Sequence, residues 1–75
     1  MEKWVYVIER YGADYDIVPG ILLSEEERNG KKVYLVYVIQ ECHRYQNVFD
    51  AIYYSLEEAR KNIWKIYVNI DKTII

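Results

Sequence analysis

Residues Val33 to Ile39 read VYLVYVI, a run without charge, glycine or proline. Leu35 is the one strong helix former in it; the rest are β-branched or aromatic and favour a strand. Side chains alternate across a strand, so Val33, Leu35, Tyr37 and Ile39 share one face and Tyr34, Val36 and Val38 the other. Both faces are apolar. A domain of 75 residues buries only ~60% of the surface its unfolded chain exposes, so it has little with which to cover two faces. Domains this small add disulfides, a metal or a second subunit. Cys42 is the single cysteine, which excludes a disulfide within the chain. Cys42 and His43, one of each type, cannot make a closed zinc site, which needs four N or S ligands. Self-association or a partner protein remains as support.

The flanking segments place this strand in a meander within a single domain, residues 1–75. Lys3 to Tyr11, KWVYVIERY, reads as a strand with Trp4, Tyr6 and Ile8 on one face and Val5, Val7, Glu9 and Tyr11 on the other. Pro19 and Gly20 break the next apolar run, which limits Tyr15 to Val18 to an edge segment. Asn29-Gly30 is the favoured pair for a two-residue type I′ hairpin turn, because both positions need φ > 0. Folding there pairs Arg28 with Lys31, Glu27 with Lys32, Glu26 with Val33 and Ser24 with Leu35. It continues with Leu23 opposite Val36 and Ile21 opposite Val38. A competing reading is one helical turn over SEEER, capped by Ser24, but so short a helix is marginal. Gln40 to Asn47 reads as a polar loop and Val48 to Tyr54 as a fourth strand.

Ser55 begins a helix. It stands at the N-cap with Glu58 three residues on, a capping box, and Glu57 and Glu58 suit the positive end of the helix dipole. Leu56, Ala59, Ile63, Ile66, Tyr67 and Ile70 recur on one face at helical spacing. IWKIYVNI also alternates as a strand, so the expectation is a helix to about Tyr67, with a short helix followed by a fifth strand as the alternative. The fold class is α+β: a four-stranded antiparallel meander with one C-terminal helix on one face.

Charge and motifs exclude more than they select. The net charge is -2, which gives no electrostatic footprint for nucleic acid. No apolar run approaches the ~20 residues of a membrane span, and the N-terminus lacks the layout of a signal peptide. A lone cysteine without an export signal fits the cytoplasm. Cys42 and His43 are adjacent, and neighbours in an extended segment point apart, so they make a poor nucleophile–base pair. Asp14 and Asp16 could share a hard cation, but such sites usually need more oxygen ligands, and a turn role is the plainer reading. No phosphate loop, catalytic triad or zinc spacing is present. No cofactor, metal or enzymatic activity is expected.

The helix is assigned to the more uniformly apolar face, over Tyr34, Val36 and Val38, with Phe49 and Ala51 beneath it. That leaves Leu35, Tyr37, Ile39 and Tyr54 uncovered, with Leu22 as a further member. Trp64, off the main helical stripe, is a second anchor. An apolar face of this kind marks an interaction site. The expected partner is a protein, most simply a second copy in a homodimer. Nine tyrosines and two tryptophans suit such a surface, although Tyr also simply favours strands. The expected function is a non-catalytic protein-binding module acting by stoichiometric contact. In size and composition the chain resembles many phage- or mobile-element-encoded accessory proteins, some of which inhibit a host enzyme such as a defence nuclease; no motif identifies a family. The alternative is a small-ligand or nucleotide-binding protein whose aromatic side chains stack on a planar ligand at a subunit interface.

Overall fold

The computed structural model describes residues 2–74, and the side chains of residues 2–68. In order come β1 (Trp4–Tyr11), β2 (Asp14–Arg28), β3 (Lys31–Ile39), β4 (Arg44–Phe49) and α1 (Leu56–Ile74). The strands form one antiparallel sheet in the order β1-β2-β3-β4, and α1 packs against β1 and β2. This is the expected meander with a C-terminal helix.

The Asn29-Gly30 turn behaves as its residues dictate, with φ of 52° and 77°. From it, β2 and β3 pair as expected, Arg28 with Lys31 through Ser24 with Leu35. There the register shifts. Leu22, not Leu23, stands opposite Val36, and Gly20, not Ile21, opposite Val38. Leu23 is the extra residue of a β-bulge, and a bulge adds twist and bends its strand. It falls just beyond the last β1–β2 pair, Trp4 with Ile21. Beyond the Tyr34–Phe49 pair, from Glu26 to Val33, the hairpin is a two-stranded arm. There Glu27 faces Lys32, but Lys32 Nζ reaches Glu25 diagonally at 3.9 Å, and Arg28 pairs with Glu26 at 2.9 Å.

β2 runs on through Pro19 and Gly20 without ending there; its stretch before Gly20 pairs with β1 alone, so Tyr15 to Val18 is an edge segment on the β3 side, as expected. Leu22 donates its backbone N–H to Lys3 on the β1 side. Alternation then turns position 19 toward β3, where the ladder stops at Gly20 opposite Val38. The N–H that proline lacks falls outside the ladder. Gly20 is required by proximity: a Cβ there would lie 2.6 Å from Val36 Cγ1 and 2.8 Å from the Tyr37 carbonyl oxygen.

The expected loop is shorter than its polarity suggests. Gln40 and His43 close a tight turn with reciprocal backbone bonds of 2.9 and 3.4 Å, and β4 begins at Arg44. It ends at Phe49, so Val48 to Tyr54 is not a strand of its own. The chain from Asp50 leads to β1, where Tyr53 and Tyr6 exchange backbone bonds of 2.7 and 2.9 Å.

The sheet is strongly curled. Glu9 of β1 accepts hydrogen bonds from Tyr45 Oη and Asn47 Nδ2 of β4, and Gln40 donates to Tyr11. In a flat sheet β1 and β4 would stand ~14 Å apart, three strand spacings. The concave side holds the core: Val5, Val7, Val18, Val36, Val38 and Phe49 are buried, with Leu22, Tyr34, Tyr45 and Ile52 packed on them. The curled sheet fills this side with its own side chains.

Consequently α1 occupies the other, convex side, not the Tyr34, Val36 and Val38 face. Its Tyr67 ring meets Tyr15 edge-on, centroids 5.7 Å apart, and Tyr67 Oη accepts the Tyr15 N–H at 3.1 Å. Tyr15 pairs with Arg10, on the face opposite Val5 and Val7. Phe49 belongs to the concave core and Ala51 is exposed, so neither lies beneath the helix as expected. Ser55 caps α1, its Oγ accepting the Glu58 N–H at 3.1 Å. Ala59 is buried and Ile63, Ile66 and Tyr67 are half-buried, as their spacing requires; Leu56 is exposed, and the Ile70 side chain lies outside the described ones. The helix continues past Tyr67 to Ile74, so there is no fifth strand among the described residues.

Candidate functional site

Cross-strand register assembles a strip on the convex face. Trp4, Ile21 and Tyr37 stand side by side on β1, β2 and β3. Leu35 and Ile39 flank Tyr37 along β3, and Val48 stands opposite Leu35 on β4. Trp4 is 54% exposed and Val48 42%, while Ile21, Leu35, Tyr37 and Ile39 are half-buried. A small cleft of about 50 Å³ dents the strip between Leu35, Val33 and Val48, with Glu26 and Arg28 at its side. Opposing strand positions share a face, so this row follows from the ladder and not from any local motif.

Of the residues expected from sequence, Leu35, Tyr37 and Ile39 come together here. Leu22 does not. The bulge at Leu23 puts it on the concave side, against the core. Tyr54 is exposed at the outer edge of β1, beside the Tyr53 bridge, with Lys3 Nζ 5.3 Å from its ring centroid. Trp64 lies on α1 and is 69% exposed. Trp4 and Val48 were not singled out by sequence; the signal that finds them is the register, which needs the bulge to be known.

A second feature lies at the end of the sheet that carries the β1–β2 and β3–β4 turns. It is an open groove of about 560 Å³ with Tyr11, Val18, Pro19 and Ile39 as its apolar lining and Asp16 and Glu41 beside them. It forms where β2 and β3 part beyond the Gly20–Val38 pair. Cys42 and His43 also border it, in an exposed turn. The His43 ring tilts against Tyr45, centroids 4.9 Å apart. Among the described residues, no three His, Cys, Asp or Glu side chains converge to hold a metal.

The seam between β1 and β4 is polar. Partial burial raises the Tyr45 phenol well above the usual tyrosine range, and its hydrogen bond to the Glu9 carboxylate adds to the effect. Burial also raises Tyr53, with the Glu58 charge as a smaller cause. The bonds of Tyr45 and Asn47 to Glu9 tie β4 to β1 across the curl. Among the described residues, no helix is long and apolar enough to cross a membrane. Compared with family models, curated proteins and solved structures, the chain finds no match.

Proposed function

We propose that the chain is a non-catalytic protein-binding module that works by stoichiometric contact through the convex strip. The observation that supports this reading is the row Trp4, Ile21, Tyr37 with Leu35 and Val48 beside it, in which Trp4 and Val48 stand exposed. Trp and Tyr are the residue types that most often anchor protein interfaces. Glu26 and Arg28 at one end supply the polar rim that such patches carry. A module of this size acts by occupying a surface its target needs, the mode of an inhibitor of a host protein. It would work in the cytoplasm, where a lone exposed cysteine stays reduced. Self-association has its own candidate surface, which adjoins the strip at Ile39.

The test is capture of a stoichiometric partner from host lysate by wild type and by strip variants. Leu35→Glu with Tyr37→Glu, and separately Trp4→Ala with Val48→Lys, should keep the wild-type circular dichroism and lose the partner. The second pair sits at exposed positions, so it remains informative if the first pair fails to fold. Folded variants that capture the same partner as wild type would rule the strip out.

A further inference from the structure

The groove at the turn end of the sheet and the outer face of α1 are complementary. The groove has an apolar lining of Tyr11, Val18, Pro19 and Ile39, and among the described residues its charged lining is acidic, Asp16 and Glu41, with no Lys or Arg. Neither carboxylate has an ion pair among the described residues; Asp16 Oδ1 accepts only the N–H of its neighbour Ile17, at 2.9 Å. Its volume of about 560 Å³ lies within the ~300–1,000 Å³ of ligand clefts, room enough for an indole. On α1, Trp64 stands 69% exposed, with exposed Arg60 one turn before it and exposed Lys65 next to it. Residues at i and i+4 share a helix face, so Arg60 and Trp64 point out together. Lys61 is engaged by Glu57 at 3.8 Å, whereas Arg60 and Lys65 have no ion pair among the described residues.

One element offers a bare indole between free cations, and the other an apolar floor beside free carboxylates. Among the described residues no α1 side chain lines the groove of its own chain, and Trp64 is not in its lining, so Trp64 and the groove meet between molecules. The geometry points to a second copy of this chain as the groove's occupant, with Trp64 seated on Val18, Pro19 and Ile39 and with Arg60 and Lys65 against Asp16 and Glu41. A contact between unlike surfaces closes as a two-fold pair when each copy makes it in both directions. The pairing takes Ile39 from the edge of the strip and uses none of Trp4, Ile21 and Tyr37.

The test is solution mass by size-exclusion chromatography with light scattering, on the full chain over a concentration series. Wild type should form dimers, or longer assemblies if the contact does not close. Trp64→Ala removes an exposed side chain and should fold, yet raise the dissociation constant by about thirtyfold or more, as loss of a buried interface tryptophan does. Arg60→Glu with Lys65→Glu should dissociate the assembly, as should Asp16→Lys with Glu41→Lys. The four substitutions in one chain should restore it, which general loss of solubility or folding would not do. A wild type that stays monomeric to about 1 mM, or an assembly that Trp64→Ala leaves intact, would overturn the proposal. The strip substitutions at Leu35 and Tyr37 should leave the assembly unchanged, so failure of the strip and failure of the groove read out separately.

Discussion

An ideal Cβ at Gly20 would stand 2.6 Å from Val36 Cγ1 and 2.8 Å from the Tyr37 carbonyl oxygen. The valine methyl could rotate away, but the carbonyl belongs to the β3 backbone and is held in its ladder. Gly20→Ala should therefore force the inner strands apart and cost roughly 1–3 kcal/mol, as overpacking does; a urea midpoint at or above wild type would show that the sheet has room to adjust. Tyr45 makes a different kind of demand. Its phenol is held protonated by burial and by donating to Glu9, so its folded pKa lies above the unfolded value of about 10. The folded state then keeps a proton that the unfolded state loses. The stability this contributes is fully present below about pH 10 and is lost as pH rises beyond it. Wild type should lose stability as pH rises above about 10, measured by denaturant midpoint, and Tyr45→Phe should flatten that fall. An equally steep fall in the variant would place the titrating group elsewhere, with Tyr53 as the next candidate.

Among the elements, what sequence can read depends on whether the determining contact is local. The β2–β3 turn is legible because Asn29 and Gly30 carry the required φ themselves. The start of α1 is legible because Ser55 and Glu58 are three residues apart. The bulge is not legible. Leu23 looks like its neighbours Ile21 and Leu22, and only the end of β1 makes it the place where the ladder shifts. That single residue decides which leucine faces the core, so the expected site gained Leu22 wrongly. β4 is hidden for the opposite reason. RYQNVF is an edge strand whose inward residues Tyr45, Asn47 and Phe49 include two polar groups, because two of them reach Glu9 across the curl. Pro19 and Gly20 resemble a strand break, yet the missing N–H falls just past the β3 ladder and the missing Cβ is what lets β3 approach. The candidate surfaces divide along the same line. Leu35, Tyr37 and Ile39 follow from alternation within one strand, whereas Trp4 joins them through three-strand register and the groove is built from two separate turns.

At the scale of the molecule, the curl relocates the core. A four-stranded sheet with one helix would ordinarily bury its apolar side chains between the two layers. Here the most buried residues, Val5, Val7, Val36 and Val38, lie inside the curled sheet, while α1 on the outside contributes one fully buried side chain, Ala59, among the described residues. The shape follows: the radius of gyration is 13.2 Å against about 11 Å expected for a compact chain of this length, since the arm beyond the bulge adds length without adding core. A domain of this size has only about 4–11 kcal/mol of stability to lose, so where it is concentrated is measurable. Val38→Ala should remove roughly 2–3 kcal/mol, from two lost carbons and the cavity left between Val5, Gly20 and Val36. Ile66→Ala removes more atoms but from a half-buried position on α1, and should cost only about 1 kcal/mol because much of its surface already meets water. Urea unfolding of both variants decides it. The larger loss at Val38 means the curled sheet is the stable unit and α1 is fastened to it; the larger loss at Ile66 would mean that the sheet–helix layer is the true core and the concave face its appendage.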